Sequence, residues 1–202
     1  GIVIMPLSIG WSSASFLTGR VLHKTGGRSM IIYGMLIVLI GCFAAVWMNE
    51  HTPIWVIIGD MLVLGIGMGM QTPGLLVTLQ NSIDMSVMGV ATASQQLARR
   101  IGATVGVSLM GAVLTNIFIA GVAELRSGEM FQTLPKNLQG HFDDPTSLLT
   151  GEARQMLPEE MLQPLLDAFS QSITAIFIVG LGAALIGFLL SLRIEPVETK
   201  NG

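Results

Sequence analysis

Four side chains could do chemistry within or beside long apolar runs: Asp60 and Gln71 inside one, and Gln95 and Arg99 in the polar-flecked stretch 91–100 that leads into another. A carboxylate can take up and release a proton, an arginine carries a fixed positive charge, and an amide both donates and accepts hydrogen bonds. In apolar surroundings such groups are costly unless they face a partner or a wet cavity, which makes them candidates for a cavity or for coupling. Asp60 lies six residues beyond Ile54, ~9 Å along a helix. Two readings stand for it: a working carboxylate inside a membrane, or one hydrated in the outer headgroup zone. Gln71 adds an amide near mid-membrane. Gln95, Arg99, Gly102 and Gly106 follow at i, i+4, i+7 and i+11, so they share one helix face. That face of small and polar residues suits an interface with other helices rather than lipid. A second place for Arg99 and its neighbour Arg100 is the inner interface, where long basic side chains reach toward lipid phosphate. Arg99 on the small face and Arg100 toward the interface satisfies both.

Other chemistries find no support. No Ser/His/Asp set, metal-ligand spacing or phosphate-binding loop occurs, so neither an enzyme nor a bound cofactor or metal is expected. His23, His51 and His141 are far apart, and Cys42 is the only cysteine. No basic run is long enough to suggest nucleic acid. Aromatic residues make up only 6%, which gives no clear cage for a cation.

The elements that must position the four residues are membrane helices. Of the 202 residues 51% are hydrophobic and only 11% charged, against about a quarter charged in an average soluble domain. Twenty-four glycines and thirteen methionines fall mostly inside the apolar runs. The expected class is an all-α integral membrane protein with five transmembrane helices.

A basic decapeptide, 19–28, separates the first two apolar runs and holds Arg20, Lys24 and Arg28, three of the ten Lys and Arg. Positive loops stay cytoplasmic, so this stretch reads as a cytoplasmic loop that orients the rest. The first span covers 1–18, with Ser8, Ser12, Ser13 and Ser15 forming a small side for helix packing or a cavity wall. The second, 29–48, runs outward, and Trp47 and Trp55 flank an outer turn without Lys or Arg. The third, 54–79, runs inward and carries Gly65, Gly67 and Gly69 at alternate positions, so that two neighbours can approach closely or the helix can bend. The fourth runs outward from about 101, or from near Gly89 if Arg99 lies inside the bundle.

In domain terms, 1–115 holds four transmembrane helices with the basic loop, and 116–170 is a long extracytoplasmic segment. Within it, Pro158-Glu159-Glu160 reads as a helix start. Met161, Leu162, Leu165, Leu166 and Phe169 form the apolar stripe of a short amphipathic helix against the outer bilayer face, with a substrate lid as the alternative. The final span is 171–193, and 194–202 is a cytoplasmic tail. The chain opens on a glycine within an apolar run, without a charged leader, and five spans are an awkward number for a complete bundle. It therefore reads as a piece of a longer plasma-membrane protein.

The decapeptide resembles the signature loop of the major facilitator superfamily: Gly19, Lys24, Gly26 and Arg28 match, and His23 stands where that family carries an acid. In the family the acid belongs to a charge network that helps hold one conformation, so this part of the gating role is in question here. Gly65-Ile66-Gly67-Met68-Gly69 with Pro73, and Gly89 with Gln96-Leu97-Ala98-Arg99-Arg100-Ile101-Gly102 and Gly106, are similar to the twelfth and thirteenth spans of fourteen-span drug:proton antiporters. The resemblance implies that the chain is most of the C-terminal half of such a bundle. It implies a proton-coupled multidrug efflux transporter of amphipathic, often cationic, compounds working by alternating access about a mid-membrane site. The partners implied are membrane lipid, protons, a small amphipathic substrate and the missing N-terminal half of the same protein. Two alternatives remain: export of a lipid, siderophore or other native metabolite on the same scaffold, and a non-transporting membrane sensor or assembly component.

Overall fold

A computed structural model describes residues 4–49, 51–127 and 159–194. Their regular structure is helical: α1 (Ile4–Thr25), α2 (Gly27–Val46), α3 (Ile54–Asn81), a short 3-10 turn (Met85–Val87), α4 (Met88–Ser127) and α5 (Glu159–Leu192). Among them four stretches are long and apolar enough to cross a membrane: Gly27–Val46, Ile54–Asn81, Met85–Ser127 and Leu162–Leu192. The remaining expected span, α1, has a suitable length of 22 residues, but its serines and its basic last turn dilute its hydropathy. The acidic stretch 128–158, including the helix start expected at Pro158, and the tail 195–202 lie outside the described residues.

The decapeptide 19–28 is not a loop. α1 continues through Gly19 and His23 to Thr25, and α2 begins at Gly27. Gly26 alone makes the turn, with φ of 76°, and its N–H donates to the Leu22 carbonyl at 2.9 Å. That backbone region is closed to most L-residues and open to glycine. A single glycine therefore replaces the expected loop. The outer turn is also compact: the Asn49 N–H donates to the Thr52 hydroxyl oxygen at 2.9 Å, and the His51 N–H donates to Asn49 Oδ1 at 3.1 Å.

By internal contacts the chain divides into two units, Gly1–Val105 with Phe177–Gly202, and Gly106–Ile176. In the first, α3 lies between α1 and α2, which scarcely touch each other. Gly65 and Gly69 face α1, where a Cβ would collide with the Leu7 and Trp11 carbonyls respectively. Gly67 and Gly74 face α2, where a Cβ would lie 2.8 Å from the Gly34 oxygen and 3.0 Å from the Gly27 oxygen. The alternating glycines thus serve two neighbours at once.

The α2–α3 contact follows a seven-residue rhythm absent from the sequence reading above. Gly27 sits against Gly74 and Thr78, Gly34 against Gly67 and Gln71, and Gly41 against Asp60 and Leu64. As α2 advances by seven, α3 retreats by seven, so the helices run antiparallel. A repeat of seven keeps one seam facing the partner in a left-handed pair. On α1 the seam is Gly10, Ala14, Thr18 and Leu22, all buried and spaced by four. The serines expected to pack there do not: Ser8, Ser12 and Ser13 are exposed. Ser13 spends its hydroxyl on the Ile9 carbonyl of its own helix, at 2.7 Å. The end of α5 belongs to the same unit. Ala184 joins Val38 and Leu64 in a buried cluster, and Gly187 lies against Met35.

The second unit holds the end of α4 and the start of α5. Phe118 and Phe169 meet edge to face at 5.9 Å, and Gly121 lies against Ala168. Val122, Leu165 and Ser172 are buried beside them in the chain. The apolar stripe expected to lie on the bilayer thus turns Phe169 toward α4 instead. It is also not a separate helix, because α5 is continuous to Leu192. α4 likewise runs through the boundary expected at 116 and reaches Ser127. At 40 residues α4 is ~60 Å long, about twice a hydrocarbon core.

Candidate functional site

α3 breaks its own regularity at Pro73, which has no N–H to give to the Gly69 carbonyl. One turn is still closed locally, as the Thr72 hydroxyl donates to the Met68 carbonyl at 2.8 Å. Beside this irregular turn lies an open cavity of about 480 Å³. α1 contributes Trp11 and Ser15, α3 contributes Met68, Gln71, Thr72, Pro73, Leu75 and Leu76, and α4 contributes Gln95, Gln96 and Arg99. Three residues singled out in the sequence, Gln71, Gln95 and Arg99, therefore meet at one place. The Arg99 guanidinium carbon stands 5.8 Å from the centre of the Trp11 ring, within cation–π range. Arg100 does not line the cavity.

Asp60 is elsewhere. It lies in the α2–α3 seam, 7% exposed, with Oδ1 3.5 Å from where a Cβ on Gly41 would sit. Oδ2 has no hydrogen-bond partner among the described residues. Asp60 does not line the cavity with the other three. Eleven residues separate it from Gln71, ~16 Å along α3, which puts the two groups beyond one another's reach.

A second recess, about 620 Å³, gathers the five signature positions Gly19, His23, Lys24, Gly26 and Arg28 against Val77, Thr78 and Asn81 at the end of α3. Arg28 Nη2 donates to the Leu192 carbonyl at 3.3 Å. A cation at the last residue of α5 opposes the partial negative charge of that helix end. Arg20 turns aside and stacks on Phe16 at 4.3 Å.

Gly102 and Gly106, expected to pack against other helices, have nothing within 4 Å of a Cβ position among the described residues. They face open space, with exposed Ile101 and Val105 as neighbours. The sequence reading also missed Trp11 as a cavity residue and left Ser15 among four serines. Trp11 and Ser15 are spaced i, i+4, so they share a face of α1, but nothing in the chain's linear order brings that face to Arg99.

Comparison with known proteins gives these features a family. The chain is 27% identical over 217 residues to Multidrug transporter protein MdtP of Bacillus subtilis (strain 168), covering 100% of this chain and 40% of that protein. It is 26% identical over 182 residues to Multidrug resistance protein 3 of the same strain, covering 90% and 35%. It is 24% identical over 222 residues to a Tetracycline resistance determinant of Streptomyces rimosus, covering 100% and 62%. The chain thus spans less than two thirds of the length of these relatives. No solved structure matches it. The Major Facilitator Superfamily profile matches residues 1–107, which hold α1, α2, α3, the signature junction and the whole lining of the cavity; the chain belongs to this superfamily of membrane transporters, which are not enzymes.

Proposed function

We propose that the chain is the C-terminal portion of a proton-coupled, fourteen-span exporter of small amphipathic compounds that works by alternating access. The observation that carries this reading is the cavity joining Gln71, Gln95 and Arg99 beside the proline turn of α3. A polar patch with apolar walls suits a ligand with a polar head and an apolar body. The relatives, a multidrug transporter, a multidrug resistance protein and a tetracycline resistance determinant, support efflux as the direction of transport. α1 serves as a fifth span, and the junction at Gly26 and the end of α5 face the cytoplasm. Lys24, Arg28 and Arg193 gather toward that side, as the retention of positive charge requires.

In this scheme Asp60 belongs to coupling rather than to substrate. An acid within a span, with one carboxylate oxygen unpartnered among the described residues, is a functional candidate by default. Its seam is built from glycines that let α2 and α3 slide or separate slightly, which would open Oδ2 to water. The signature junction acts as a clasp: Arg28 ties the start of α2 to the end of α5. His23 replaces the family's acid, so the junction holds its state through this Arg28 contact.

The test uses the intact transporter in inside-out membrane vesicles with an imposed pH gradient. Amphipathic compounds are added singly and collapse of the gradient is followed. Collapse that needs both the protein and a particular compound is expected. No collapse with any compound, with folded protein present, would sink the exporter reading.

A further inference from the structure

The cavity described above carries a charge preference that the exporter reading leaves open. We propose that it takes an amphipathic organic anion, with Arg99 selecting the anionic head. This rests on the exporter reading for its biological setting but not for its chemistry.

Among the described residues Arg99 is the only ionic group lining the cavity. The described carboxylates of the same unit do not line the cavity: Asp60 is buried in the α2–α3 seam, and Asp84 lies just before the 3-10 turn that follows α3. Arg99 makes no ion pair among the described residues. Its guanidinium carbon lies over the Trp11 ring, 5.8 Å from the ring centre. The N–H donors of a guanidinium form a planar fork matched to a carboxylate. Gln71 and Gln95 line the same space, and each amide brings two N–H donors for an oxyanion. The walls formed by Leu75, Leu76 and Trp11 supply the apolar half of the contact. A volume of about 480 Å³ suits a ligand of one or two rings. A cationic head in the same position would meet the like charge of Arg99 and be repelled.

Three probes of one shape test this: 1-naphthaleneacetate, 1-naphthaleneacetamide and 1-naphthylmethylammonium. Their binding to the purified intact transporter is measured by equilibrium dialysis, for the parent and for Arg99→Gln, Arg99→Lys and Arg100→Gln. The acetate should bind about tenfold more tightly than the amide or the ammonium, as expected for a hydrogen-bonded charge pair. Arg99→Gln should erase that preference, Arg99→Lys should keep part of it, and Arg100→Gln should keep all of it. Equal binding of the three probes, tighter binding of the ammonium, no binding at all, or a preference that survives Arg99→Gln would each overturn the proposal. The vesicle assay separates this from the exporter reading. Arg99-dependent acetate binding without gradient collapse would sink the exporter and keep the anion site, whereas collapse by cations alone would do the reverse.

Discussion

Gly65, Gly67 and Gly69 on α3 and Gly102 and Gly106 on α4 look alike in sequence: small residues set among apolar ones in a long helix. Their surroundings differ completely. The α3 glycines touch backbone on two sides, with α1 against Gly65 and Gly69 and α2 against Gly67. The α4 glycines touch nothing within 4 Å among the described residues. The difference teaches that a small-residue stripe reports a permitted approach, and that a partner helix must supply the rest. On α2 the partner is visible as Gly27, Gly34 and Gly41, placed to meet α3 at Gly74, Gly67 and Leu64. On α4 no such complementary row exists among the described helices.

The largest effect should come from filling the α3 side of this comparison. Gly65→Ala with Gly69→Ala would drive two methyl groups into the Leu7 and Trp11 carbonyls, which are backbone and cannot rotate away. Overpacking of this kind costs about 1–3 kcal/mol per site. Thermal unfolding of the purified transporter in detergent should show a clear drop in Tm. An unchanged Tm would mean that α1 and α3 are not in close contact.

The same seam sharpens the comparison through Asp60, the one acid enclosed by it. Asp60→Asn keeps the shape of the side chain and removes the proton site. Substrate-driven collapse of a pH gradient should fall by about tenfold or more, the scale of a coupling free energy between two sites, while Tm and probe binding at the Arg99 cavity stay as in the parent. Undiminished collapse would remove Asp60 from coupling. A large fall in Tm would make it a structural residue.

How much of this was open to sequence reading depends on whether the signal runs along one helix or between two. The bounds of α2 and α3 were legible because apolar runs end at Trp47 and begin after Pro53. The end of α4 was not, because its apolar content thins out gradually toward Ser127 instead of stopping. The stripe of Leu165 and Phe169 was legible as a helix face, but a face seeking lipid and a face seeking Phe118 have the same spacing. Gln71 could be chosen as a polar group in an apolar run, and Gln95 and Arg99 by the helix face they share with Gly102 and Gly106. Their meeting place needed the approach of α4 to Trp11, which no periodicity encodes. The separation of Asp60 from Gln71, ~16 Å along one helix, was within reach of simple arithmetic. The basic decapeptide was read as a loop because charge marked it, while the property that shapes it is the positive φ of Gly26.

Within that decapeptide Gly26 and Gly19 repeat the comparison on a smaller scale. Both match the family signature, yet Gly26 has a φ of 76° and Gly19 lies inside α1 with nothing within 4 Å of a Cβ position. Gly26→Ala should cost about 1–3 kcal/mol, because its φ of 76° with ψ of 152° is a backbone region open almost to glycine alone. Gly19→Ala should leave Tm unchanged or raise it slightly. Equal losses for the two would mean that Gly19 meets a neighbour beyond the described residues.

The smallest effect is the most informative about α4. Gly102→Ala adds a methyl group to open space and replaces glycine by the best helix former, a change of up to about 1 kcal/mol in favour of the helix. Tm should stay level or rise by a degree or so, in contrast to the fall on α3. The same substitution at Gly106 should behave alike, since both positions lie open. A fall of the size seen for Gly65→Ala would show that another helix of the assembled transporter rests against this face. The stripe of Gln95, Arg99, Gly102 and Gly106 would then be a buried interface in the whole protein, with Arg99 held at its inner end beside the cavity. A neutral result would leave the face to lipid or to the ligand, and would assign the glycines of α4 to passage rather than to packing.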